Sequence, residues 1–176
     1  AFTDGFATAL RRENADLVDA LARPIAVNQD TDFLLVVSTQ GDILLHLAQL
    51  EGTLEAVTET LEIDYMASIQ NVLESGNPDI QPQRALGLYH VNERYYYFTT
   101  VPVALNDTMV GVLTIGTAID TLLPQLKTAS LADITIYLNQ GEAVASTLTR
   151  LVSPDEVAPF LRALSISEDL YEERLR

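Results

Sequence analysis

The sequence predicts an α+β fold in which helices flank an antiparallel sheet. Seven segments rich in β-branched and aromatic residues are joined in hairpins by short turn sequences. Longer segments with apolar residues at helical spacing lie between these strands. Apolar residues make up 48% of the 176-residue chain, which is enough for a packed core.

The first predicted element is a long N-terminal helix over Thr3–Val27. Its apolar residues recur near one face and are expected to pack on the body of the domain, namely Leu10, Val18, Leu21 and Ile25. Pro24 is expected to bend or end this helix near its last turn. The polar segment 28–32 then forms a loop.

A strand pair and a second helix follow. Phe33–Val37 and Ile43–Leu47 are apolar runs, and the polar turn between them contains Gly41, which can adopt positive φ. The second helix is predicted over Thr53–Glu74. Gly76 and the proline two residues later give it a clear stop signal.

Three further antiparallel strands are predicted over Ala85–Val91, Arg94–Leu105 and Thr108–Ile119. The dipeptide Asn106-Asp107 suits a two-residue hairpin turn between the last two strands. A proline inside the long middle strand indicates an edge or a bulge at that point. These strands complete the predicted main sheet.

The remaining residues predict part of a second module. A helical connector over Asp120–Ala129 leads to a hairpin of Ile134–Leu138 and Ala143–Thr147. Ser153 then opens a last helix with a capping box closed by Glu156. The chain therefore divides into an N-terminal helix (1–27), a main module (28–119) and a connector with a partial second module (120–176).

A weak internal repeat supports that division. Residues 34–42 align with residues 134–142, and both copies have the order strand, Gln-Gly-acid turn, strand, helix. Such hairpins are common, so chance similarity explains the match about as often as duplication does. We favour duplication, because a helix follows the hairpin in both copies. The second copy has room for at most one strand after its helix, so we expect it to be incomplete.

Charge and composition exclude several classes of function. The formal net charge is −15, from 10 basic and 25 acidic residues, and such a surface repels nucleic acids and anionic lipids. The absence of cysteine excludes disulfides, thiolate metal sites and cysteine nucleophiles. No apolar run approaches the roughly 20 residues that a membrane helix needs.

No residue pattern indicates catalysis or a cofactor. His46 and His90 each lie in an apolar strand context, where a hydrogen-bonded or edge histidine is the favoured interpretation over a ligand or base. Asp30 and Asp32 lack the spacing of a calcium loop and are expected in a solvated loop. We therefore expect no enzyme activity, no metal and no cofactor.

The order of elements and two strand motifs resemble the Cache family of PAS-like extracytoplasmic sensors. The aromatic segment 94–103 ends in Pro-Val, and the segment 109–116 carries a hydrophobic-Gly-hydrophobic pattern, as the corresponding strands of that family do. The resemblance implies an antiparallel PAS-like sheet flanked by helices and followed by a partial second PAS-like module. It also implies a ligand-binding sensor domain of a membrane receptor, such as a histidine kinase, nucleotide cyclase or chemoreceptor.

Further consequences follow from the same resemblance. The domain is expected to lie outside the cytoplasm, in a membrane-anchored parent that dimerises through the N-terminal helix. The amino-acid-sensing branch of the family has a tryptophan-containing motif and a later carboxylate. This chain has no tryptophan, and Gly116 or Thr117 stands near that carboxylate position, so recognition of amino acids by that mode is not expected.

In a module of this kind the ligand lies between the sheet and the helix-loop layer. The aromatic strand places Tyr95, Tyr97 and Thr99 on one side, and Tyr96 and Phe98 form the alternate row. The first row gives a candidate site of Tyr65, Ile69, Arg84, Tyr89, Tyr95, Tyr97, Thr99 and Thr114. Rings and hydroxyls suit a small organic ligand that is neutral or weakly anionic, with Arg84 as the nearest cation for an acid.

Two other functions fit the same sequence. One is a structural or dimerisation module with a vestigial pocket, which the heptad-like spacing of Leu10, Leu17 and Leu21 supports weakly. The other is a cytosolic, GAF-like small-molecule binder. Membrane spans flanking the domain in its parent would favour the receptor over both.

Overall fold

The computed structural model describes residues 4–29, 31–58, 66–138 and 143–148. The helices are α1 (Asp4–Arg11), α2 (Ala15–Asn28), α3 (Met66–Ser75) and α4 (Ile119–Ser130). The strands are β1 (Phe33–Ser38), β2 (Ile43–Leu50), β3 (Thr53–Ala56), β4 (Gln83–Tyr89), β5 (Arg94–Leu105), β6 (Thr108–Ala118), β7 (Thr135–Tyr137) and β8 (Ala143–Ser146). The predicted α+β class is confirmed.

Six strands form one antiparallel sheet in the order β3-β2-β1-β6-β5-β4. Five of them, all except β3, were predicted from the sequence and are confirmed, with ends that differ by a few residues. The β5–β6 turn is the predicted Asn106-Asp107 pair, whose φ angles of 51° and 59° are those of a two-residue hairpin. The central strands β1 and β6 are long-range neighbours, so they join the first hairpin to the later strands.

The predicted single N-terminal helix is wrong, because the segment forms two helices. Glu13 has a φ of +52°, and Asn14 caps α2 by accepting a hydrogen bond from the Leu17 backbone N–H at 3.0 Å. Pro24 lies inside α2, which continues to Asn28. The proline leaves the carbonyl of Ala20 without its helical hydrogen-bond donor, and because Ala20 is exposed, water can take that place.

The predicted second helix begins too early, because residues Thr53–Ala56 form strand β3. Glu51 and Gly52 have φ angles of +49° and +88°, which close a two-residue turn between Leu50 and Thr53. The helix α3 covers the later part of the predicted range.

The two faces of the sheet bury different sets of apolar side chains. We call the side of the sheet that α3 covers the α3 face. There Ile69 and Val72 of the helix pack with apolar residues of the sheet. We call the opposite side the N-helix face. There Leu10 of α1 and Val18 of α2 pack against Leu34 and other strand residues. This is the layered arrangement expected when each face of a sheet needs its own cover.

Close packing on the N-helix face depends on a small residue in β6. A Cβ atom at Gly111 would lie 2.8 Å from Leu10 Cδ2 and 2.5 Å from the Val37 carbonyl oxygen. Glycine at this position therefore lets α1 approach the sheet closely.

Contacts divide the chain into two compact units, Ala1–Ile119 and Asp120–Arg176. Within the second, β7 and β8 form a separate two-stranded sheet. Hydrogen bonds from Lys127 and Thr147 lower the pKa of the Asp133 carboxyl. The predicted helix beginning at Ser153 lies outside the described residues, so the incomplete second module stays a prediction.

Candidate functional site

Aromatic rings fill one end of the α3 face. Four of them are at most 1% exposed, and they come from β1, β4 and β5: Phe33, Tyr89, Tyr96 and Phe98. Phe33 lies at the centre, with its ring centroid 5.1 Å from that of Phe98 and 5.3 Å from that of Tyr89, both edge-on. Tyr96 and Phe98 stack at 5.6 Å along β5. These packed rings give the face a rigid, largely apolar floor.

Small residues in β6 make room for these rings. Gly116 pairs with both Phe33 and Phe98, and Ala118 pairs with Tyr96. A Cβ atom at Gly116 would lie 2.9 Å from the Phe33 Cβ and 2.9 Å from two ring carbons of Phe98. Gly116 stands near the position at which the amino-acid-sensing branch of the Cache family has a carboxylate. In this chain it lies beneath two phenylalanine side chains.

A hydrogen bond between β2 and β4 shows that the sheet curls toward α3. The His46 Nε2 and Tyr89 hydroxyl are 3.0 Å apart, although three strands lie between β2 and β4. In a flat sheet these strands would be about 19 Å apart, which is more than the two side chains can span together. The α3 face is therefore concave, and its rim residues meet across it.

His46 is a buried base in apolar surroundings. The side chain is 5% exposed, and its ring lies 5.3 Å from the Phe33 ring and 5.8 Å from that of Tyr89. Burial lowers the pKa of His46 from 6.5 to about 4, because the charged imidazolium would lose its hydration. The imidazole is consequently neutral at ordinary pH.

Three hydroxyl groups form a buried ladder beneath α3. The Thr100 hydroxyl is 3.0 Å from that of Ser68 on α3 and 3.0 Å from that of Thr114 on β6. All three side chains are buried. Since a hydroxyl can donate and accept, this ladder can reverse its direction when a new polar group reaches it.

A second polar group closes the β4–β5 end of the face. The Asn92 amide donates a hydrogen bond to the Tyr96 hydroxyl at 2.8 Å and another to the Gln49 carbonyl at 3.3 Å. The guanidinium of Arg94 lies 5.9 Å from the centroid of the Tyr96 ring. Even the deepest rings therefore keep their hydroxyls paired.

The structure separates the sequence-predicted site residues onto the two faces of the sheet. Ile69, Tyr89 and Thr114 lie on the α3 face. The other strand residues of the predicted site, Tyr95, Tyr97, Thr99 and Arg84, lie on the N-helix face. Tyr65 lies outside the described residues. The structure therefore does not bring the predicted site residues together on one face of the sheet.

The strand pairing sets which residues share a face. Thr114 pairs with Thr100, while Thr99 pairs with Arg84 and Ile115. Paired residues project to the same side of an antiparallel sheet, so Thr114 shares a face with Thr100 and its row. The alternate aromatic row of the sequence analysis is the one that faces α3.

The predicted aromatic row instead belongs to a more open part of the sheet. Tyr97 and its neighbours Leu86 and Ile115 are each 37–39% exposed. They lie on the N-helix face, where α1 and α2 cover mainly β1, β2 and the other ends of β5 and β6. Their rings and side chains are partly solvated and provide no enclosed surface.

Several residues of the α3 face were not among the sequence-predicted candidates. They are Phe33, His46, Ser68, Tyr96, Phe98 and Thr100. For Tyr96 and Phe98 the alternating pattern was available, and only the choice of face was missing. Asp32, expected in a solvated loop, is buried and accepts a hydrogen bond from the Ala118 backbone N–H at 2.9 Å, which extends the sheet.

Two negative findings apply to the described part of the chain. None of its helices has both the length and the hydropathy to cross a membrane. Its histidine and acidic side chains do not gather in threes or more in a way that could hold a metal ion.

Comparison of the fold identifies sensor domains among solved structures. A domain of a sensory box/GGDEF family protein from Vibrio parahaemolyticus superposes with a TM-score of 0.59 at 15% identity, covering 86% of this chain and 64% of that one. The ligand-binding domain of the Campylobacter jejuni chemoreceptor Tlp3, in complex with 4-methylisoleucine, gives 0.56 at 16% identity, covering 85% and 62%. The periplasmic domain of Vibrio cholerae LuxQ gives 0.54 at 16% identity, covering 88% and 71%.

These likenesses establish the class of fold. No family model matches the chain, and neither does any curated protein. The chain spans less than two thirds of the length of the first two structures. It therefore shares its fold with these sensory domains, in agreement with the fold that the sequence resemblance implied.

Proposed function

We propose that the chain is an extracytoplasmic ligand-binding sensor domain of a membrane signal-transduction receptor. The observation that carries the proposal is the concave α3 face, where buried polar groups lie among aromatic rings. Rigid rings with a few well-placed polar groups are the usual composition of a small-molecule site. The Tlp3 domain, which shares the fold, is a ligand-binding domain of a chemoreceptor.

The output of such a receptor would be a histidine kinase, a nucleotide cyclase or a chemotaxis signal. The domain itself would bind ligand without chemistry. The parent would be anchored in the membrane, and the domain would dimerise through α1 and α2. The exposed Leu17 of α2 supports an interhelical contact of this kind.

The ligand would be a small organic molecule that is neutral or weakly anionic. Its site would comprise the hydroxyl ladder of Ser68, Thr100 and Thr114 together with the face of the aromatic cluster. An ion at this apolar surface would lose hydration free energy, and hydrogen bonds from hydroxyl groups would compensate that loss only in part. Since Arg84 lies on the opposite face of the sheet, it is not the cation of this site.

Thr100 and Thr99 provide a matched pair for testing this site. Native mass spectrometry and a thermal-shift screen of small organic compounds would identify ligands of the wild-type domain. Thr100→Val changes a buried hydroxyl beneath α3, whereas Thr99→Val makes the same change on the opposite face. We expect the first variant to weaken binding and the second to retain it. Equal affinities in the two variants would place the site elsewhere.

A structural module with a vestigial pocket is the second candidate. The dense packing of Phe33, Tyr89, Tyr96 and Phe98, each at most 1% exposed, favours it, because rings packed against one another resist displacement. This candidate predicts that no compound of the screen stabilises the domain. It also predicts that dimerisation through the N-terminal helices proceeds without ligand.

A further inference from the structure

His46 has one paired and one unpaired ring nitrogen. Nε2 lies 3.0 Å from the Tyr89 hydroxyl. Nδ1 has no hydrogen-bond partner on any residue that the structure describes, although the side chain is only 5% exposed. Buried polar atoms in proteins nearly always have a partner, so an unpaired one calls for an explanation.

Either neutral form of the ring leaves Nδ1 in need of a partner. If the Tyr89 hydroxyl donates to Nε2, then Nδ1 carries the proton and needs an acceptor. If Nε2 donates to Tyr89, then Nδ1 carries a lone pair and needs a donor. A hydroxyl group can meet both needs, whereas a carbonyl meets only the first.

The surroundings of His46 indicate what else the partner must be. The Phe33 and Tyr89 rings lie 5.3 and 5.8 Å away, centroid to centroid. Val57, which follows β3, packs partly buried against the same cluster. A charged partner would be desolvated among these groups, while an apolar body would gain contact with them.

We propose that Nδ1 of His46 is a polar contact of the ligand, and that this ligand is an uncharged, largely apolar molecule with a hydroxyl group. The inference rests on the proposed function of the α3 face. It assigns to His46 a binding role in addition to its structural hydrogen bond with Tyr89. The hydrogen bond to Tyr89 fixes the ring so that its other nitrogen is presented in a defined direction.

The test uses ¹⁵N-histidine-labelled full chain and two pairs of probes. Benzyl alcohol is compared with toluene, and cyclohexanol with methylcyclohexane, so that each pair differs mainly in the hydroxyl group. Long-range ¹H–¹⁵N spectra report the hydrogen bonding of each ring nitrogen. We expect an alcohol to shift the Nδ1 resonance of His46 and its matched hydrocarbon to leave that resonance in place. His90, which is exposed, is the internal control.

A variant extends the test to affinity. His46→Phe keeps the ring and removes both nitrogens, so it should lose the preference for alcohol over hydrocarbon, a change of roughly five-fold for one hydrogen bond. His90→Phe should keep that preference. If His46→Phe fails to fold, the wild-type spectra still decide the question.

Three outcomes would overturn the inference. In the first, neither alcohol shifts the Nδ1 resonance. In the second, an ordered water satisfies Nδ1 and remains there when alcohol binds. In the third, a ligand perturbs Ile69 and Val72 on the α3 face while Nδ1 is unchanged, and then the proposed function survives without this contact. If no small molecule perturbs the α3 face at all, the proposed function fails as well.

Discussion

The buried histidine should make the domain sensitive to mild acid. Burial lowers the pKa of His46 to about 4 in the folded chain, whereas 6.5 is its value when solvated. Between these values the unfolded chain binds more protons than the folded one. The stability contributed by His46 is therefore present in full above pH 6.5 and is lost as the pH falls from 6.5 toward 4.

The size of the effect follows from the pKa difference. One pKa unit corresponds to about 1.36 kcal/mol, so moving from about pH 7.5 to about pH 5 should remove about 2 kcal/mol of unfolding free energy through His46. His46→Phe cannot bind this proton and should lose about 2 kcal/mol less than wild type over the same range. The absolute stability of the variant does not enter the comparison.

Urea unfolding followed by far-UV circular dichroism measures both free energies, and it suits a chain without tryptophan. His90→Phe replaces an exposed histidine and serves as the control. Acidic residues contribute to the pH dependence of all three proteins, and their share cancels in the difference. If His46→Phe and wild type lose stability in parallel between the two pH values, His46 is not a buried neutral base and the reasoning is wrong.

Three further predictions concern packing on the two faces, and each is checked by urea unfolding at neutral pH. Gly116→Ala should lower the free energy of unfolding by about 1–3 kcal/mol, since its new methyl group would overlap two phenylalanine side chains. A stability equal to wild type would mean that the rings have room. Thr100→Val should lower the free energy of unfolding by about 1–3 kcal/mol more than Thr99→Val, because only Thr100 belongs to the buried hydroxyl ladder. Equal losses of stability would show that the ladder does not stabilise the fold. Tyr96→Ala should lower the free energy of unfolding by about 3–5 kcal/mol. Tyr97→Ala should lower it much less, because the Tyr97 side chain is 39% exposed. The reverse order would refute the assignment of the two residues to their faces.

Most strands of the sheet could be predicted because their signals are local. Apolar, β-branched runs flank turn residues such as Gly41 and the Asn106-Asp107 pair, whose backbone preferences act over a few residues. The Glu51-Gly52 turn escaped prediction, because the residues after it resemble the start of a helix. The break between α1 and α2 was not predicted either. The apolar stripe continues past Asn14, and only the N-cap hydrogen bond of Asn14 marks the start of α2.

The candidate site could be predicted only in part, because it depends on contacts between distant segments. Alternation along β5 divides its residues into two rows, but the covering helix decides which row lines the concave face. The pairing of Thr100 with Thr114, 14 residues apart, sets the register of β5 and β6, and alternation along a single strand does not reveal that register. The hydrogen bond of His46 is to Tyr89, which is 43 residues away in sequence with three strands between them in the sheet, and no local pattern encodes that contact.

Methyl ¹H–¹³C spectra test the proposed ligand binding at the α3 face most directly, because isoleucine and valine methyl groups lie on both faces of the sheet. Titration with a ligand found by native mass spectrometry should shift the methyl resonances of Ile69, Val72 and Val112, on the α3 face, and leave those of Val36 and Val101 unchanged. Shifts confined to Val36 and Val101 would contradict this proposal.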